Sequence, residues 1–205
     1  RSPGEDGLPI EFYKTFWTDI NRFLLMVYDE SFEKQTLPNS MKKSVVTLIY
    51  KKGDRTDISN YRPISLTNLD YRILANVLAS RLQNVMSPII DPAQVAYIKG
   101  RFIGTNIRLV HDIFDLYNDK NKPGIIMFAD FKKAFDSIEW EFLFQTLRKF
   151  NFGENFRKWI KILYTDPSAV IKNNGHISDE FMLTRGVRQG CPVSALLFIL
   201  CVEVI

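Results

Sequence analysis

Two carboxylates six residues apart carry the clearest chemistry in this sequence, in the segment Phe128-Ala-Asp-Phe-Lys-Lys-Ala-Phe-Asp136. Asp130 closes an apolar run, Ile125 to Asp130, that reads as a buried strand. A strand tip fixes the backbone and leaves the side chain open. Magnesium takes hard oxygen ligands, usually one or two carboxylates with waters and substrate phosphates, so a strand-end aspartate suits it. On spacing alone, Asp130 reads equally well as a solvated acid. Asp136, with Ser137, reads first as the cap of a following helix.

Two further segments could hold a phosphorylated ligand. In Arg185-Gly-Val-Arg-Gln-Gly-Cys-Pro-Val-Ser194, two glycines and a proline surround Gln189 just before a helix. Backbone can approach a ligand where side chains are absent, and a helix start presents free N–H groups. The same pattern also suits a simple loop-to-helix entry. In Tyr50-Lys-Lys-Gly-Asp54 and Tyr61-Arg-Pro-Ile-Ser-Leu66, two strands joined by a basic turn could fold over an anion. Lys51 or Lys52 would supply a point charge and Arg62 a forked donor for phosphate oxygens. The alternative is an exposed hairpin whose lysines protect its edge.

The scaffold for these residues is globular. The 205 residues suffice for one large domain or two small ones, and 46% hydrophobic with 24% charged content excludes a disordered chain. Net charge is +4, from 27 basic and 23 acidic residues, and is too mild to demand a polyanionic partner. It is clustered, however, between Lys42 and Arg62 and between Arg148 and Lys161. Cys191 and Cys201 make neither a disulfide framework nor a zinc site and fit a reducing compartment. No run reaches the roughly 20 apolar residues of a membrane span. Arg1 stands where an initiator Met is absent, and an apolar run stops at Ile205, so both ends are expected to be cuts in a longer chain.

Periodicity predicts a helix over 9–30, with a stripe of Phe12, Phe16, Ile20, Phe23 and Val27. Strands follow at Ser44 to Tyr50 and Arg62 to Leu66, about a Gly53-Asp54 turn. Helices are expected over 69–86, ending before Pro88, and over 105–118. After the strand at Ile125 to Asp130 come helices at 138–150 and 154–164, then a hairpin of Ala169 to Lys172 and Ile177 to Leu183. Its turn is Asn173-Asn174-Gly175, and a last helix runs from Val193 to Ile205. The mixed order gives an α+β fold.

The order of the motifs is more specific than any one of them. SPGEDGLP, then LIYKKGD…NYRPISL, then FADFKKAFD, then RGVRQGCPVSALLF resembles the reverse transcriptases of non-LTR retrotransposons, the long interspersed element type, from Ser2 to the last residue. Glu5 stands where that family usually has Pro. The resemblance implies a right-hand polymerase with fingers and first palm elements in 1–124, a partial palm in 125–205 and no thumb.

By the same resemblance, Asp130 is the first catalytic carboxylate and a ligand to two Mg2+ ions, with the carbonyl of Phe131 as a further ligand. The Lys133 and Ala134 amides face the incoming triphosphate, and Phe135 is the steric gate that rejects a 2′-OH. Lys51 or Lys52, with Arg62, holds the β- and γ-phosphates. Gln189 and Gly190 support nucleotide and template base, Arg185 lines the same groove, and Ser2 to Gly7 contacts the template–primer region. Partners would be an RNA template, a DNA primer and a deoxynucleoside triphosphate, with assembly in the cytoplasm and reverse transcription in the nucleus. The family places an aromatic-Ala-Asp-Asp turn a few tens of residues after RQGCP, and the sequence stops 15 residues after Gly190 without one. The expectation is therefore that these residues alone do not polymerise. A decayed or domesticated remnant that binds nucleic acid without chemistry is the alternative.

Overall fold

A computed structural model describes residues 3–205. Its centre is a mixed sheet ordered β2-β1-β3-β4, with β5 also paired to β3. β1 (Lys43–Tyr50) and β2 (Tyr61–Leu66) form an antiparallel hairpin in which Ile49 faces Arg62. β3 (Ser168–Asn173) runs parallel to β1, from Lys43 opposite Ser168 to Thr47 opposite Lys172. Its other edge is shared by β4 (His176–Ile177) and β5 (Phe181–Met182), both antiparallel. Residues 48–50 of β1 therefore pair only with β2, and the hairpin tip projects past its neighbour. Burial follows this geometry: Ser44 and Val45 are buried near β3, and Ile49 and Tyr50 are exposed.

The core lies among helices on the sheet. α4 (Leu69–Ile89) buries Tyr71, Leu74, Ala75, Leu78, Leu82 and Met86, the three-to-four spacing of one helical face. It meets α8 (Ser194–Val202), which buries Leu196, Leu197, Leu200 and Cys201. α6 (Trp140–Lys149) and α7 (Glu154–Leu163) close the cluster with Leu143, Leu147, Ile160 and Leu163. Full burial of each such side chain contributes roughly 1.5–3 kcal/mol.

Several expectations need correction. The first helix is two, α1 (Ile10–Thr15) and α2 (Trp17–Lys34), and the chain bends at Phe16. Phe16 and Phe23 of the expected stripe are exposed; Val27 of that stripe packs against the core, joined by Tyr28 and Phe32. On α4 the stripe is rotated so that Val77 and Val85 face outward. α4 also continues through Pro88 to Ile89, and beyond its end Arg101 donates to the carbonyls of Ser87 and Ile90, both at 2.8 Å, and to those of Asp91 and Gln94. The side chain thereby serves acceptors that a helix end leaves open. α3 (Asn39–Lys42) is a single turn leading into β1, and α5 (Ile103–Asp119) forms where periodicity placed it but buries no residue. α8 ends at Val202 rather than running to Ile205.

The strand expected at Ile125 to Asp130 is not formed. Ile125, Met127 and Phe128 are 98%, 84% and 85% exposed. An apolar run becomes a strand only when a neighbour completes its ladder, and no strand of the sheet pairs with residues 125–130.

Candidate nucleotide site

The hairpin tip presents Lys51 and Lys52 beyond the paired strands, with Arg62 exposed on β2. Local chemistry knits the turn. The Lys51 amide donates to the Asn60 carbonyl at 2.9 Å, and Asn60 Nδ2 donates to the Asp54 carbonyl at 2.9 Å. Tyr61 donates its hydroxyl to the Arg55 carbonyl, and the Arg55 guanidinium lies 4.8 Å from the Tyr50 ring centre. Gly53 has φ of 96° and sits where a Cβ would come within 2.7 Å of Asn60 Nδ2, so the turn needs glycine there. Asp54 accepts from the amide and hydroxyl of Thr56, and Asp57 accepts from the amide of Ser59. Those bonds favour the ionised carboxylates and hold both below the ordinary aspartate value.

The loop Arg185–Pro192 joins two of the predicted segments. On one side, the Ser65 amide donates to the Gln189 carbonyl at 2.9 Å, which docks the loop on β2 three residues from Arg62. On the other, Val187 donates to the Phe135 carbonyl and Gly186 to the Ile138 carbonyl, each at 2.7 Å. Trp140 Nε1 donates to the Gly186 carbonyl at 2.8 Å, and Gln189 Nε2 reaches Asp136 Oδ1 at 3.4 Å. Arg185 pairs with Glu139 at 3.3 Å rather than standing free in a groove.

Lys133 adopts the left-handed conformation, φ 51°, and a 3-10 turn at Ala134–Ser137 follows. Asp136 and Ser137 do not cap α6. Its N-cap is Glu139, without a side-chain bond, while Asp136 faces Gln189 and Ser137 Oγ donates to the Lys133 carbonyl. Phe135 is half-buried, its ring 5.3 Å from that of Phe198 on α8, and Phe131 meets the same ring edge-on at 6.0 Å. A cleft of about 210 Å³ opens beside Phe131, Ala134 and Phe198.

Asp130 is exposed, and no side-chain hydrogen bond or ion pair joins it to another described residue. A hard carboxylate oxygen suits magnesium, but the described residues bring together no group of three His, Cys, Asp or Glu side chains that could hold an ion. The segment FADFKKAFD is thus positioned from Phe131 onward, by Phe198 and by the 185–190 loop, whereas Asp130 is not.

Three contributors escaped the sequence reading. Phe198 lay in an apolar helical run, with nothing to mark it until the fold set it behind Phe131 and Phe135. Arg188 was quoted only as part of a loop. Asn68, at the start of α4, accepts the Asp6 amide at 3.3 Å, and Gly4 fits so tightly there that a Cβ would fall 2.1 Å from Asn68 Oδ1. Glu5 adds an ion pair to Lys43 at 2.6 Å. The N-terminal element is therefore docked from Gly4 to Gly7; its Ser2 lies outside the described residues.

Comparison with known proteins gives the family. The reverse transcriptase (RNA-dependent DNA polymerase) family matches residues 49–205. The chain is 36% identical over 203 residues to the Transposon TX1 uncharacterized 149 kDa protein of Xenopus laevis, covering 99% of this chain and 16% of that protein. It is 28% identical over 200 residues to the Retrovirus-related Pol polyprotein from type-1 retrotransposable element R2 of Popillia japonica, covering 96% of this chain and 27% of that protein. With the corresponding R2DM polyprotein of Drosophila melanogaster it shares 26% over 202 residues, 98% of this chain and 19% of that one. The chain thus spans about a sixth to about a quarter of these relatives. It belongs to the reverse transcriptase family, among the proteins of non-LTR retrotransposons.

Proposed function

We propose that this chain is the nucleotide-gripping part of an RNA-templated DNA polymerase, with fingers and first palm elements in 1–124 and a partial palm in 125–205. The observation that carries the reading is the 185–190 loop, which is bonded at once to β2 beside Arg62 and to the turn that follows Asp130. It unites three segments that sequence alone could only place in order.

In this reading Lys51 or Lys52 and Arg62 hold the β- and γ-phosphates of a deoxynucleoside triphosphate. The Lys133 and Ala134 amides face the same group, Phe135 lies under the sugar, and Gln189 with Gly190 supports the base pair. Asp130 and the Phe131 carbonyl would ligate Mg2+, which when bound neutralises charge on the triphosphate and activates the primer hydroxyl. One carboxylate would hold such an ion weakly, so the carboxylate that completes the site is proposed to come from elsewhere in the polymerase. The 205 residues alone then bind primer–template, with affinity that falls as salt rises, and do not extend it.

Primer extension on poly(rA)/oligo(dT) tests both halves. The whole reading frame that contains this chain should extend the primer with magnesium and lose that activity in Asp130→Ala. Product from the 205 residues alone, abolished by Asp130→Ala, would show that these residues suffice. A whole protein that binds but never extends would leave only a nucleic-acid-binding role.

A further inference from the structure

Arg188 is a charged side chain in the interior. It is 4% exposed, its guanidinium carbon lies 4.7 Å from the centre of the Tyr71 ring, and Nη2 donates to the carbonyl of Lys42. No carboxylate pairs with it among the described residues, and its Nε and Nη1 have no hydrogen-bond partner. Tyr71 itself is fully buried at the head of α4, with its hydroxyl 3.4 Å from Cys191 Sγ.

Such an arrangement is a poor device for stability. A buried cation without a counter-charge carries a desolvation cost, and an apolar side chain of similar volume is often as stable or more so. Its geometry is distinctive. Lys42 is the last residue of α3, directly before β1, and Tyr71 is in the first turn of α4. Arg188 reaches both from the residue immediately before Gln189. The loop is thereby fixed to the base of the hairpin that carries Arg62 and to the helix behind it. Its own outward bonds, from Ser65 to Gln189, from Gly186 to Ile138 and from Val187 to Phe135, lie to either side.

We propose that Arg188 is a positioning residue that locks the 185–190 loop between the hairpin and the 135–138 turn, and so sets Gln189 and Gly190 against the incoming nucleotide. The lock is a property of this chain; its role toward the nucleotide rests on the polymerase reading above.

Amide hydrogen exchange on the 205-residue chain tests the lock without catalysis. In Arg188→Met the amides of Ser65, Gly186 and Val187 should exchange at least about tenfold faster, while the β1–β3 ladder and the thermal midpoint stay unchanged or improve. A residue with only a structural role would instead lower the midpoint and speed exchange throughout. Unchanged exchange at those three amides would overturn the proposal. Should the Met variant not fold, Arg188→Lys serves: it keeps the charge, loses the fork and stacking, and should give a smaller acceleration at the same three amides. In the whole polymerase, Arg188→Met should raise KM for the deoxynucleotide several-fold with less effect on kcat. An unchanged KM would leave the lock but remove its role at the nucleotide. A wild-type protein unable to use nucleotides would refute the polymerase reading, and with it that role, while the exchange result would still judge the lock.

Discussion

The amide of Ser65 donates to the carbonyl of Gln189 at 2.9 Å, and this bond puts the 185–190 loop on the outer edge of β2. Gly190 makes the approach possible. Its φ is 103°, and a Cβ there would stand 3.2 Å from the Ser65 carbonyl oxygen. Gly190→Ala should therefore cost about 1–3 kcal/mol, through left-handed strain and displacement of the loop. Thermal melting checks this, since each kcal/mol corresponds to roughly 2–4 °C in a domain of this size. An unchanged midpoint would mean that the loop shifts freely.

Arg101 is a stability residue rather than a ligand. Its guanidinium serves four carbonyls, those of Ser87 in the last turn of α4 and of Ile90, Asp91 and Gln94 just beyond it. Arg101→Ala should destabilise the chain by roughly 2 kcal/mol, the usual scale for hydrogen bonds to a charged group. Arg101→Lys should recover only part of that loss, because an ammonium cannot span the four acceptors. Urea denaturation of the two variants decides the point.

The hairpin tip should respond to acid. Asp54 and Asp57 are held below the ordinary value of 3.8 by the amides and hydroxyls they accept from. With depressed folded values, their ionised forms contribute stability that is complete above 3.8 and falls as pH drops through the folded values. Exchange of the Thr56 and Ser59 amides should therefore speed beyond its ordinary pH dependence in acid, and Asp54→Asn should blunt the response at Thr56. A flat response would mean that the turn is held by Tyr61 and Asn60 alone.

Phe135 carries a prediction about substrate choice. Its ring rests on Phe198 at 5.3 Å, which restricts how far it can retreat. On the proposed polymerase function, Phe135→Ala in the whole protein should admit ribonucleotides, raising their incorporation relative to deoxynucleotides by at least about tenfold, or about 1.4 kcal/mol of lost discrimination. Single-nucleotide extension with matched ribo- and deoxynucleotides measures it, and unchanged discrimination removes the assignment.

Much of this was legible before any coordinates. The β1–β2 hairpin could be read because SVVTLIY and YRPISL flank a glycine-containing turn, so local chemistry alone defines it. The helices over 69–86, 138–150 and 154–164 appeared close to their observed spans because their apolar spacing is regular. What could not be read depends on partners distant in sequence. Residues 125–130 have strand composition, but composition does not supply a neighbouring strand. Val77 and Val85 fit the α4 stripe as well as Tyr71 and Met86 do, and only the position of α8 decides between them. The same holds for Asp136, whose cap role was plausible until Gln189 came to lie beside it, 53 residues away in sequence.

The parallel pairing of β1 with β3 also bears on how the chain is made. Lys43 lies opposite Ser168, so the paired residues stand 125 positions apart in the sequence. At a rate of about 5–20 residues per second, the completed hairpin waits roughly 5–20 seconds for its inner neighbour to be synthesised. During that interval the β1 edge and the apolar face of α4 are exposed to water, because α8, which packs on α4, emerges later still. Slowing of translation between codons 66 and 168 should lower the soluble yield more than the same delay placed after codon 202.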